Sequence, residues 1–188
     1  MGSHPGPLTM DAAGEDVKMR QRLLILITLL ATGGISLNCG RQQTPGGLEV
    51  GRPAPIFELP DLSGRPVSLT QYEGKIVLID FWATWCGPCR MSMPVLEDLQ
   101  KEYPDELVLL AVNLQEPLDE VRDYVKAQRI RSRVLLDEEG KVGTVYGSES
   151  IPMQVLIDQK GIVRDIRMGF SPDLGVHFRG EIRQLLGS

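Results

Sequence analysis

The stretch IDFWATWCGPCRMSMP, residues 79–94, decides how this chain reads. Cys86 and Cys89 stand three apart, with Gly87-Pro88 between them and Trp85 before them. Just upstream, KIVLIDFWA is a continuous apolar run, as expected for a strand covered on both faces. Downstream, Met93, Leu96, Leu99 and Tyr103 recur at helical spacing. The pair therefore lies where a buried strand ends and a helix begins.

Three chemistries compete for such a pair. A zinc site needs four ligands, and the whole chain offers only two histidines, His4 and His177. His177 groups with Glu181 and Gln184 on the polar side of a last helix and reads as solvated, so no metal is expected. A structural staple closing so small a loop removes little unfolded-chain entropy. Redox chemistry fits better. A helix N-terminus carries partial positive charge and unpaired N–H groups, which stabilise a thiolate and lower its pKa. Cys86, nearest the exposed tip, reads as the attacking sulfur. Cys89, one turn into the helix, reads as the resolving sulfur, able to reach Cys86 once a mixed disulfide has formed. Pro88 occupies a first-turn position, where its missing N–H leaves no helical bond unmade.

Working outward, ELVLLAVNL is a second buried strand and RVLLDEE a short third one. Leu118, Val121 and Val125 mark a helix between them. IFELPDLSGRPVSLT alternates around Ser63-Gly64 and predicts a short hairpin. MQVLIDQKGIVRDIRM predicts two strands around a Gln-Lys-Gly turn. Leu174, Phe178, Ile182 and Leu185 give a closing amphipathic helix. Strands alternating with helices predict an α/β fold, a central mixed sheet flanked by helices, with the terminal hairpin as an antiparallel edge.

The N-terminal part has another character. Residues 1–22 are polar and end in a basic flank, Lys18, Arg20 and Arg22. An apolar run from Leu23 comes next, so that residues 23–39 have the layout of a signal peptide or membrane anchor. The run is short for a spanning helix, which needs about 20 apolar residues. Cys39 ends SLNC, where a lipoprotein signal carries its lipidated cysteine, although Ser36 and Asn38 match that signal poorly. Lipidation at Cys39, retention as an anchor and ordinary cleavage all remain open. Each puts the domain in a non-cytosolic space, where disulfides persist. Residues 40–47, rich in Gly and polar residues, read as a linker, and residues 48–188 as one domain. A net charge of -5 without a Lys/Arg cluster gives no sign of a nucleic-acid binder.

DFWATWCGPCRMSMP resembles the active site of the thioredoxin superfamily. GRPAPIFELPDLSGRPVSLTQYEGKIVLIDFWATWC resembles the N-terminal extension of its TlpA/ResA-like branch, whose members are membrane-associated extracytoplasmic thiol–disulfide oxidoreductases. A strand–helix insertion near residues 113–136 is similar to that branch as well. The resemblance implies a thioredoxin-like fold and no cofactor beyond a redox-active Cys86–Cys89 disulfide. It also implies disulfide-containing protein substrates, among them apocytochrome c, and a membrane electron donor of the CcdA/DsbD type.

The same resemblance suggests supporting residues. Asp80, at the end of an apolar strand, matches the superfamily's buried aspartate, which accepts the resolving thiol's proton. Burial would raise its pKa, and the alternative is an acid that simply reaches water. Where many ResA-like proteins carry Glu three residues after the second cysteine, this chain has Ser92. Pro152 corresponds to the superfamily's cis-proline opposite the cysteines. Ile151 before it would offer its backbone to an extended substrate, and Trp85 an apolar contact surface. Pro94 resembles the kink proline of the active-site helix. Trp82, Met91 and Met93 read as packing or rim residues. Two rival functions are a peroxiredoxin-like peroxidase and a non-enzymatic adaptor. The first needs Thr or Ser where Ala83 stands, and the second needs neither cysteine.

Overall fold

Strand β3, Ile76–Trp82, is buried along its whole length and forms the centre of a five-stranded sheet. The computed structural model describes Met1, Gly2 and residues 47–187. The chain divides into two compact units, Met1–Gln42 and Gln43–Ser188, and the second holds the sheet and the Cys86–Cys89 pair. The basic flank, the apolar run, Cys39 and most of the linker lie outside the described residues. Among the described residues no helix is long and apolar enough to cross a membrane.

The chain runs through a hairpin of β1 (Glu58–Pro60) and β2 (Pro66–Ser68), a 3-10 turn at Leu69–Tyr72, and β3. It continues through α1 (Gly87–Glu102), β4 (Leu107–Leu114), α2 (Leu118–Gln128) and β5 (Arg133–Asp137). Helix α3 (Lys141–Tyr146), strands β6 (Met153–Ile157) and β7 (Val163–Met168), and helix α4 (Leu174–Leu186) complete it. The sheet order is β5-β4-β3-β6-β7. β3, β4 and β5 are parallel, while β6 and β7 are antiparallel to their neighbours. This is the expected mixed sheet with an antiparallel edge. Residues 113–136 hold the end of β4, helix α2 and most of β5.

Alternation along each strand sorts the core into two faces. Val77, Ile79 and Phe81 of β3 point to one face and pack with Phe57, Leu59 and Val67 of the hairpin segment and with Tyr146 of α3. Ile76 and Leu78 point to the other, against Leu96 and Leu99 of α1 and Phe178 and Ile182 of α4. Trp82, on that same face, joins Cys89, Met93 and Val121. The hairpin and α3 thus cover one face, and α1, α2 and α4 the other.

Two features escaped the sequence reading. Helix α3 is short and lies between Gly140 and Gly147, both left-handed, so no helical period could develop. Asp137 receives the Gly143 N–H at 2.7 Å and anchors this helix to β5. His177 is not simply solvated. Its Nε2 lies 2.5 Å from Asp165 Oδ2, which fastens α4 to β7.

The segment leading into the hairpin crosses the first face from edge to edge. Near β7, the Gly51 N–H donates to the Val163 carbonyl and the Val163 N–H donates to the Arg52 carbonyl. At the far side, Asp61 bridges to Leu135 of β5. Between them Ala54, Phe57 and Leu59 are buried, and the Tyr146 hydroxyl donates to the Pro55 carbonyl at 2.6 Å.

Candidate active site

β3 delivers the chain to the cysteines at the end where β6 begins, because β6 runs antiparallel and Phe81 pairs with Met153. Cys86 is the N-cap of α1, with extended backbone, and Gly87 and Pro88 open the helix. Its Sγ accepts the Cys89 backbone N–H at 3.2 Å. The helix N-terminus therefore directs one of its unpaired donors at this sulfur. Cys86 and Cys89 are joined in a disulfide, with Cα atoms 5.3 Å apart.

The tip is apolar but is not the cysteine itself. Trp85 is 71% exposed, whereas Cys86 and Cys89 are 3% and 1% exposed. Pro88 and Arg90 are exposed beside them. Cys86 is drawn inward because it packs, with Trp82, Ala83 and Met93, into the cluster under α1. Trp82 is buried and stacks at a tilt on Tyr124 of α2, ring centroids 5.7 Å apart. Met93 is buried and Met91 exposed, in keeping with their reading as core and rim. Pro94 sits inside α1 on its exposed side.

The Ile151–Pro152 peptide bond is cis. Pro152 is buried, and its carbonyl accepts the Gly169 N–H at 2.7 Å, tying the start of β6 to the end of β7. Ile151 packs against the cluster that contains both cysteines. The structure thus brings Trp85, Ile151 and Pro152 to the same end of the sheet as the disulfide.

Asp80 is fully buried. It shares its face with Leu78 and Trp82, so it lies under α1 between the residues that touch Leu96 and those that touch Cys89. Burial pushes its carboxyl up to about 7, against the pull of a hydrogen bond from Gln154. That bond runs from Gln154 Nε2 to Asp80 Oδ1 at 2.8 Å. The reading of Asp80 as an acid that reaches water is overturned. Ser92 is also buried, and its hydroxyl donates to the Cys89 carbonyl at 3.0 Å. It is a neutral helix residue, not a second acid.

The sequence reading missed a second carboxylate. Glu116, in the loop after β4, is buried and accepts three hydrogen bonds. They come from the Thr84 N–H at 2.7 Å, the Thr84 hydroxyl at 2.5 Å and the Asn113 side-chain amide at 2.6 Å. Thr84 stands two residues before Cys86, so Glu116 clamps the loop that carries the disulfide. Gln154 was missed as well. The available signal was a polar residue interrupting an apolar strand, Asn113 in ELVLLAVNL and Gln154 in MQVLI.

A disulfide bonded across the first turn of a helix, at the end of a mixed sheet that also carries a cis-proline, defines a thioredoxin-like thiol–disulfide oxidoreductase. The chain belongs to the AhpC/TSA family, whose profile matches residues 50–166. Thioredoxin-like protein YneN of Bacillus subtilis is 38% identical over 149 residues, covering 78% of this chain and 87% of that one. Thiol-disulfide oxidoreductase ResA of Geobacillus thermodenitrificans is 36% identical over 158 residues, 81% and 91% of the two chains. A putative thiol:disulfide interchange protein DsbE from Chlorobium tepidum superposes with a TM-score of 0.71 at 33% identity. The match spans 75% of this chain and 100% of that one. Enzymes of this class act on disulfides, so disulfide-containing substrates are implied.

Proposed function

We propose that the protein reduces protein disulfides outside the cytosol, with Cys86 attacking and Cys89 resolving. In the reduced pair, the Cys86 thiolate attacks one sulfur of a substrate disulfide. A mixed disulfide forms, and the other substrate sulfur leaves as a thiolate that takes a proton from solvent. Asp80, as carboxylate, accepts the Cys89 proton through one water. The Cys89 thiolate then attacks Cys86 Sγ, the Cys86–Cys89 bond closes, and the second substrate sulfur leaves as a thiolate and is protonated. Two electrons have passed from the pair to the substrate. A dithiol donor must return them, and by family resemblance that donor is a membrane protein of the CcdA/DsbD type. No further cofactor is required.

The observation that carries this reading is the Cys89 N–H directed at Cys86 Sγ from the first turn of α1. The same donor favours a thiolate over a thiol on Cys86 once the pair is reduced. Trp85 and the backbone of Ile151 supply a surface on which an extended substrate adds as a strand, an arrangement with little side-chain specificity. The leader layout around Leu23 and Cys39 supports attachment to, or export across, a membrane. Apocytochrome c is among the substrates suggested by the resemblance.

A peroxidase reading lacks its hydroxyl, because an alanine, Ala83, stands three residues before Cys86. An adaptor reading leaves the bonded pair without a use. Reduction of insulin disulfides by the purified full chain, with a dithiol donor supplied, tests the proposal. Turnover well above a Cys86→Ser control is expected, and equal rates would refute it.

A further inference from the structure

Across the sheet, one row of paired residues runs Ala111, Asp80, Gln154, Arg167 from β4 to β7. Asp80 and Gln154 are both fully buried and point to the α1 face. Gln154 Nε2 donates to Asp80 Oδ1 at 2.8 Å. Asp80 Oδ2 and Gln154 Oε1 have no hydrogen-bond partner among the described residues. One carboxylate oxygen is thus fixed and the other is free.

We propose that Gln154 is a positioning residue for proton transfer: by donating to Oδ1 it favours the ionised form of Asp80 and leaves Oδ2 free to take the proton of Cys89. This rests on the functional reading above and deepens it. An amide N–H given to a carboxylate stabilises the charged state, whereas burial favours the neutral one. The two act in opposition at Asp80, with burial the larger. Without the amide, the acid would hold its proton to higher pH and a smaller fraction would be ionised, and able to act as a base, near neutrality. An aliphatic residue in this otherwise apolar strand would satisfy packing equally well. The glutamine is therefore explained by its neighbour and not by the core.

Among the described residues, no other charged group within this face competes for that role. In the reduced state Cys89 is the thiol that α1 carries in the cluster with Trp82, on the Asp80 side of the sheet, and Ala111 is apolar. Tyr124 of α2 packs on Trp82. Arg167, next in the row, is partly exposed and turns to Ser171 and Asp173. Asp165 is held by His177. Asn113 is engaged by Glu116.

The test compares the full chain with its Gln154→Leu variant, in the oxidised state, by following the Asp80 carboxyl carbon with pH in 13C NMR. The midpoint is expected to rise by about one pH unit in the variant, the size of one hydrogen bond to a charge. The acidic limb of the pH profile for insulin reduction is expected to move up by the same amount. Gln154→Leu should cause no such displacement in an Asp80→Asn background. An unchanged or lower midpoint overturns the proposal, as does a displaced limb that persists without Asp80. The carboxyl titration is read without turnover. Failure of the wild type to reduce disulfides would therefore sink the functional reading separately, while the NMR midpoint still decides what Gln154 does to Asp80.

Discussion

Glu116 grips Thr84 by both backbone and side chain, receiving its N–H at 2.7 Å and its hydroxyl at 2.5 Å. The loop between β3 and α1 is thereby bound to the loop after β4. Asn113 holds the same carboxylate from below. Glu116→Ala would leave the buried Asn113 amide unpaired, at roughly 1–3 kcal/mol, and the partly buried Thr84 N–H unpaired, at about 1 kcal/mol. Urea unfolding of the oxidised protein should show a loss of about 2–4 kcal/mol. Thr84→Val, which replaces only the hydroxyl by a methyl, should lose on the order of 1 kcal/mol.

Asp80 predicts a stability that depends on pH with a definite sign. Its carboxyl stands at about 7 in the fold, raised from 3.8 mainly by burial. Between those values the unfolded chain has released the proton that the folded chain still binds. Ionising the buried acid therefore weakens the fold as pH rises through this window, and the loss is complete above the upper value. Asp80→Asn should be more stable than wild type near pH 8, by on the order of a few kcal/mol, and close to wild type near pH 4. Denaturant midpoints of the oxidised proteins at about those two pH values check it. Equal midpoints throughout would mean that the acid is not desolvated.

Trp85 is exposed, so its removal takes little from the core. Trp85→Ala should leave the unfolding midpoint within about 0.5 kcal/mol of wild type. It should lower kcat/KM for insulin several-fold, chiefly through KM, while reduction of a small aromatic disulfide changes less. A uniform fall for both substrates would assign Trp85 to the chemistry and not to docking.

Cys89→Ser removes the resolving sulfur and leaves Cys86 to attack. Expressed with its leader, this variant should accumulate covalent adducts that a reducing agent dissolves. Cys86→Ser should accumulate far fewer. Non-reducing gels and mass spectrometry of the adducts read both, and a reversed pattern would exchange the roles of the two sulfurs.

The fold was legible because each long element carries its own period. β3, β4 and β6 are largely unbroken apolar runs, and α1 and α4 repeat Leu96, Leu99 and Phe178, Ile182 at helical spacing. Cys86, Cys89 and the acid at Asp80 were legible because their local order is distinctive. Helix α3 was hidden by its shortness. Glu116 and Gln154 were hidden for another reason. Each acts on a residue far away in sequence, Thr84 and Asp80, and only the register of β3 with β4 and β6 brings those pairs together. His177 likewise finds Asp165 only once α4 lies on β7.

The stretch from Gly51 to Asp61 occupies backbone groups at both rims of the sheet, Val163 at the start of β7 and Leu135 in β5. Exposed strand rims are templates on which a second chain can pair. Under the proposed function, extended substrates add as strands beside Ile151, and pairing at a sheet rim would compete with that. One continuous strap therefore occupies a point on each rim, Val163 and Leu135, and shortens the free edge that a second chain could use. The strap thereby biases extended peptides toward the disulfide end.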